Sequence, residues 1–108
     1  MLTRNTAIEI LKDFIKECAD KNIFFKKVIL FGSTVTGNTH EYSDIDVALV
    51  SDRFTGNILT DIHLISPIMV ADKKFYIIEP KTFSTKEDEE GIDPFFEDII
   101  KKTGIEIK

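Results

Sequence analysis

The chain of 108 residues contains a single cysteine, Cys18, and no tryptophan. One cysteine cannot form an internal disulfide, and it cannot build a zinc site from thiolates. No apolar run approaches the ~20 residues that a membrane-spanning helix needs, and the N-terminal residues do not show the pattern of a signal peptide. We therefore expect a cytoplasmic protein that does not bind a membrane.

Basic residues are also scarce, since 14 Lys and Arg stand against 19 Asp and Glu, which gives a net charge of −5. A broad nucleic-acid-binding face needs clustered basic side chains to neutralise phosphates, and this balance argues against one. Hydrophobic residues make up 43% of the chain and charged residues 31%, as in an ordinary globular protein. The length predicts one domain that spans residues 1–108.

The chain is organised around two apolar runs that flank a polar connector. Val28 to Phe31 is a continuous apolar run, typical of a strand buried on both faces, and it ends at Gly32 and Ser33. A glycine there lets the backbone approach a ligand closely, and Ser33 is predicted to cap a short helix. Backbone N–H groups at a helix start bind anions, so this turn is a candidate phosphate site. His40 lies in the connector as either a phosphate or partner contact or an ordinary loop residue.

Two aspartates begin the second run. Asp44 and Asp46 are separated by one residue, directly before the apolar residues Val47 to Val50. Because side chains alternate along a strand, the two carboxylates should project from the same side, about 6.5 Å apart. Carboxylate oxygens are preferred ligands of Mg²⁺, and this spacing suits a pair of divalent ions about 3.5–4 Å apart. An anion site beside a carboxylate pair indicates a nucleoside triphosphate site.

The remaining patterns predict helices and strands on either side of this stretch. Apolar residues at helical spacing predict helices from Asn5 or Thr6 to about Lys21, with Asn5 as the N-cap, and from Ile58 to about Ala71. Asp93-Pro94 has the pattern of a helix start, and Thr103-Gly104 ends that helix. Further elements are a third strand at Lys73 to Glu79, closed by Pro80, a capping box at Ser84 to Glu87, and a short edge strand at Ile105 to Ile107.

The central stretch resembles the signature of the minimal nucleotidyltransferases, the smallest members of the DNA polymerase β-like superfamily. The matching residues are Gly32-Ser33 and Gly37, followed by Ser43-Asp44-Ile45-Asp46 and an apolar strand. The resemblance covers most of the chain and implies an α+β fold of two layers, a small mixed β-sheet with helices packed on it. Family members often carry an arginine just after the Gly-Ser pair. This chain has Thr34-Val35-Thr36 instead, which leaves backbone amides and Ser33 to hold the anion.

The family usually places a third carboxylate on the third strand, and this sequence allows two alignments. One alignment, based on Pro80, puts Tyr76 at that position. The other alignment, based on the sequence Ile78-Glu79-Pro80, puts Glu79 there. Glu79 is the only carboxylate on the predicted strand and is therefore our candidate. It would be a metal ligand and the base that accepts the proton of the attacking hydroxyl.

The resemblance implies a nucleotidyltransferase that moves a nucleoside monophosphate, AMP from ATP, to a hydroxyl acceptor by a two-metal mechanism. Asp44, Asp46 and Glu79 would hold two Mg²⁺ ions, with Mn²⁺ as an alternative, and Gly32 and Ser33 would bind the phosphates. Relatives of this size resemble the antitoxin of a toxin–antitoxin pair that modifies a HEPN-type partner. A protein partner or a homodimer is therefore expected to complete the site. An inactive nucleotidyltransferase-fold module that acts by protein association is the alternative; aminoglycoside-type enzymes are less similar because they carry a second domain.

Overall fold

Four strands form one mixed sheet in the computed structural model, which describes residues 2–37 and 44–108. The strands are β1 (Lys27–Phe31), β2 (Ile45–Ser51), β3 (Ile78–Ser84) and β4 (Ile105–Glu106). Their order is β3-β2-β1-β4; β2 and β3 are parallel, and the other neighbouring pairs are antiparallel. A mixed sheet that carries helices confirms the predicted α+β fold.

The helices connect these strands. They are α1 (Arg4–Asp20), α2 (Ser33–Thr36), α3 (Ile58–Met69), α4 (Thr85–Glu90) and α5 (Lys101–Thr103), with a 3₁₀ turn at Lys73–Phe75 and a π-helical segment at Phe96–Ile100 that runs directly into α5. Among the described ranges, no helix combines the length and the apolar composition needed to cross a membrane.

The two faces of the sheet carry separate apolar clusters, because successive strand side chains point to opposite faces. The first cluster packs the sheet against α1, α3 and the 3₁₀ turn; it includes Val28 and Leu30 of β1, and Val47 of β2. The second cluster packs the sheet against the π-helical segment, where the rings of Phe83 and Phe96 stack with centroids 4.2 Å apart. Residue 46 shares its face with the second cluster.

The third strand is where the sequence prediction was wrong. Residues 73–75 form the 3₁₀ turn, and β3 begins only at Ile78 and continues through Pro80 to Ser84. Pro80 lacks an N–H group and was expected to close the strand. It is tolerated inside because β3 is an edge strand that pairs only with β2. Tyr76 consequently lies outside the strand and is 62% exposed. Within β3, Glu79 is the only residue with a carboxylate side chain.

Helix starts were predicted with mixed success. The side chain of Thr3, not that of Asn5, caps α1 by accepting a hydrogen bond from the Thr6 N–H group. The capping box at Ser84 is confirmed. Asp93 also acts as predicted, because its carboxylate accepts from the Phe96 N–H group at 3.1 Å.

Candidate active site

The register between β2 and β3 brings two candidate carboxylates together. Asp46 and Glu79 are direct partners across the parallel pair, and directly paired residues of neighbouring strands project from the same face. On the other side of β2, Phe31 is the partner of Asp46. Because Gly32 follows Phe31 in sequence, the same register also carries the Gly-Ser turn to the Asp46 side chain.

The Asp46 carboxyl group is half-buried, and its surroundings disfavour its charge. Burial raises its pKa above the usual value, and the negative charge of Glu79 and a hydrogen bond with that side chain raise it further. The ammonium group of Lys81 acts in the opposite direction, and Asp44 adds a smaller repulsion. Two carboxyl groups that repel each other at a partly buried position would attract a cation.

Gly32 packs directly against Asp46. A Cβ atom built on Gly32 would lie 2.3 Å from Asp46 Oδ2, and the residue has φ +81°, a conformation that favours glycine. The sequence predicted a close backbone approach to a ligand here; the structure shows a close approach to the carboxylate of the second strand.

The predicted capping role of Ser33 was wrong. Gly32 occupies the N-cap position of α2, and its carbonyl oxygen accepts hydrogen bonds from the N–H groups of Val35 and Thr36. Ser33 is therefore the first helical residue, one position later than expected, because the positive φ of Gly32 makes the turn by itself. The helix ends at Gly37, which has φ +83°. The first N–H groups of a helix have no partner inside it, so the turn keeps amide donors for an anion.

Asp44 lies at the border of the described chain. It is exposed and directly precedes β2, while Ser43 of the motif and His40 fall in 38–43, outside the described residues. Within 2–37 and 44–108, no three His, Cys, Asp or Glu side chains reach the mutual spacing that a metal ion requires. The two carboxylates that lie together are thus those of Asp46 and Glu79. Asp44 precedes Asp46 by two residues.

A buried carboxylate supports β3 from the opposite face of the sheet. Asp61 of α3 is 1% exposed and accepts hydrogen bonds from the N–H group of Thr55 (2.8 Å) and from that of Gly56 (3.0 Å). It also accepts from the hydroxyl groups of Thr82 (2.7 Å) and Thr55 (3.0 Å). Burial alone would raise the pKa of Asp61, but these hydrogen bonds outweigh it and lower the pKa. The interaction with Thr82 ties β3 to α3.

A cavity of about 610 Å³ lies away from the carboxylates, between α1 and α3. Its lining includes Lys21, Arg53, Leu64 and Phe75 and none of the candidate site residues. A smaller cavity of about 220 Å³ lies beside β3 and includes Lys81 and Phe95 in its lining. Neither cavity is lined by Asp46, Glu79, Gly32 or Ser33, so the site is located by the carboxylate pair and not by a cavity.

Sequence reasoning did not identify Lys81 or Phe95. Lys81 is two residues beyond Glu79 on β3, and its Nζ lies 5.9 Å from the centroid of the Phe95 ring. The alternation of side chains along a strand would have placed Lys81 on the same face as Glu79. That signal was hidden because the strand was predicted to end at Pro80.

Comparison with known proteins identifies the family and the fold. The family model described as "Nucleotidyltransferase domain" matches residues 11–106. No curated protein matches the sequence closely enough to count as a relative. Among solved structures, the chain is similar to a crystal structure from Sulfolobus solfataricus described as that of a "putative nucleotidyltransferase". The superposition has a TM-score of 0.64 at 16% sequence identity and covers 95% of this chain and 80% of that chain, which shows the shared fold.

Proposed function

Because the chain belongs to the nucleotidyltransferase domain family, we propose that it transfers AMP from ATP to a hydroxyl group of a protein acceptor. The expectation of a nucleotidyltransferase is confirmed at the level of the domain; the nucleotide, the metal ions and the acceptor are the proposal. The observation that carries it is the register of Asp46 with Glu79, combined with the contact of Gly32 with Asp46. Residues 1–108 form a single nucleotidyltransferase domain in this proposal.

Each side chain has a defined task in the proposed reaction. Amide donors of the Gly32-Ser33 turn bind phosphate oxygens. Asp44, Asp46 and Glu79 would hold two Mg²⁺ ions, or Mn²⁺ in their place, which when bound supply charge neutralisation and align the phosphates. Glu79 also accepts the proton of the attacking hydroxyl. The hydroxyl oxygen bonds to the α-phosphorus as the bond to the bridging oxygen breaks, and pyrophosphate leaves.

The order of the strands suggests the side from which the acceptor approaches. The Gly-Ser turn follows β1, the aspartates lie on β2, and Glu79 lies on β3, so these groups succeed one another across the sheet. In an in-line displacement, the attacking and leaving oxygens stand on opposite sides of the phosphorus. With the leaving phosphates at the Gly-Ser turn, the acceptor hydroxyl approaches from the side of β3, where the proposed base Glu79 lies.

The proposed setting is a cytoplasmic toxin–antitoxin pair in which this chain modifies an all-helical HEPN-type partner. The net charge of −5 disfavours a nucleic-acid acceptor, which supports a protein acceptor. A homodimer is the other way in which a second chain would complete the site. The absence of a three-residue metal set among the described residues favours one competing function, an inactive module that only binds its partner.

The decisive experiment incubates the protein with ATP labelled at the α-phosphate, Mg²⁺ and the product of the neighbouring gene. We expect label on the neighbour with wild-type protein and with Asp52→Asn, an exposed turn substitution that serves as the control, and no label with Asp46→Asn. Tight association without label, in all three proteins, would instead establish the binding module.

A further inference from the structure

Three lysines lie on or over the face of the sheet that carries Asp46, and two of them are already paired. Lys27 and Lys101 both contact Asp88, with Nζ–Oδ1 distances of 3.0 and 2.8 Å. Lys81 forms no ion pair with any residue in the described part of the chain. Among the described residues, it is therefore the lysine of this face whose charge is not balanced by an ion pair.

Lys81 is also the cation nearest in register to the carboxylate pair. It follows Glu79 by two residues on β3 and pairs with Ala48, which follows Asp46 by two residues on β2. The two side chains of β3 thus share a face, about 6.5 Å apart along the strand.

The described part of the Gly-Ser turn, residues 32–37, contains no cationic residue. The four residues of α2 are Ser-Thr-Val-Thr, and the guanidinium group of Arg4 donates to the carbonyl oxygen of Val35, near the C-terminal end of α2. A nucleoside triphosphate brings several negative charges to a site that already contains carboxylates. A cation on the far side of those carboxylates would offset part of this charge.

We propose that Lys81 is the cationic phosphate-binding residue of this site, and that its ammonium group binds the α-phosphate of the nucleoside triphosphate. This inference rests on the proposed function and deepens it. The α-phosphate is the group that lies between the Gly-Ser turn on the side of β1 and the acceptor on the side of β3. A lysine of β3 that lies two residues past Glu79 is placed to reach its non-bridging oxygens, on which charge develops during transfer.

The contact of Lys81 with Phe95 suits this role. The Phe95 ring packs edge-on against Phe31, with centroids 6.1 Å apart, and remains 45% exposed. A cation over an exposed ring is held weakly, more weakly than by a hydrogen bond to a charged group. The ring therefore holds the ammonium group beside the small cavity without competing with a phosphate. An ion pair with a carboxylate, like those that Asp88 forms, would compete with the phosphate for the ammonium group.

Equilibrium binding of α,β-methylene-ATP in the presence of Mg²⁺ tests the proposal, because this analogue cannot be cleaved at the α–β bond. Lys81→Met should weaken binding by about 10-fold to 100-fold, and Lys81→Arg should keep most of the affinity. Lys102→Met serves as the matched control; Lys102 is an exposed lysine of α5, and its loss should leave binding unchanged. Melting temperatures of all three variants should match the wild type.

Salt dependence separates a phosphate contact from a structural contact with Phe95. Loss of a charged contact makes affinity less sensitive to KCl, so the slope should become shallower in Lys81→Met and stay unchanged in Lys102→Met. Wild-type affinity and slope in Lys81→Met, with binding lost in Asp46→Asn, would overturn this inference and leave the proposed function standing. Failure of the wild-type protein to bind the analogue would overturn both.

Discussion

Asp46 and Glu79 are register partners on the parallel strands β2 and β3, and they differ in environment. Asp46 is half-buried against Gly32, while Glu79 is exposed at the edge of the sheet. The two carboxyl groups share a face, and the more buried one has the raised pKa. In the proposed function both carboxylates hold metal ions and Glu79 also accepts a proton, and this difference in environment leads to the first two predictions.

Asp46→Asn should abolish transfer, by about 1,000-fold or more, and raise stability at neutral pH. The folded pKa of Asp46 lies above its unfolded value of about 3.9, so the native state binds this proton more tightly. Stability therefore falls as the pH rises from the unfolded pKa through the folded pKa, and the charged group costs stability at pH 7. The melting temperature without metal should rise by roughly 1–4 °C in the variant. Thermal melts at pH 7 and pH 3 check this; a gain of equal size at both values would contradict the explanation.

Glu79→Gln should reduce turnover by about 100-fold to 10,000-fold, because the proposed base is lost. It should also lower the pKa of Asp46, since the charge of Glu79 is a cause of the raised value. Steady-state transfer assays measure the first effect, and carboxyl NMR titration of the metal-free protein measures the second. Glu90→Gln, at an exposed position of α4, is the control. Wild-type turnover in Glu79→Gln would remove Glu79 from the reaction.

Gly32→Ala should destabilise the protein more than Gly37→Ala does. Both glycines have a positive φ, +81° and +83°, but only Gly32 has a neighbour, Asp46, that a Cβ atom would meet among the described residues. We expect a loss of about 1 kcal/mol at Gly37 and of about 2–4 kcal/mol at Gly32. Urea unfolding of the two variants measures the difference. Equal losses would show that the contact with Asp46 is easily relieved.

Asp61→Asn should destabilise the protein by about 2–3 kcal/mol at pH 7, because an amide cannot accept all the hydrogen bonds from Thr55, Gly56 and Thr82. The folded pKa of Asp61 is lowered, so its stabilising effect is complete above the unfolded pKa of about 3.9 and is lost as the pH falls through the folded pKa. Urea unfolding at pH 7 and at pH 3 should show a smaller difference between wild type and variant at pH 3. Asp52→Asn, at an exposed turn, should show little change at either pH; a pH-independent loss in Asp61→Asn would contradict the role of the charge.

Much of the fold is visible in the residues themselves. The apolar runs of β1 and β2 predict buried strands, and the helical spacing of apolar residues predicts α1 and α3 to within a few residues. The Gly-Ser pair and the Asp-x-Asp motif indicate the kind of site, because the residues of each motif are close together in the sequence. The first helix begins slightly earlier than predicted, because Thr3 and not Asn5 is its N-cap. Several polar residues near a helix start can serve as the cap, and the sequence does not decide between them.

Local sequence determined the strand β2, the Gly-Ser turn and the side of the strand on which Asp46 lies, because the alternation of side chains within a strand is a property of the backbone. Only the tertiary structure decided that Pro80 lies inside β3, that Glu79 rather than Tyr76 belongs to that strand, and that Lys81 meets Phe95. These relationships depend on register and on which strand forms the edge of the sheet. Register is set by the burial of a whole face and by pairing with a distant strand, and no short stretch of sequence contains that information.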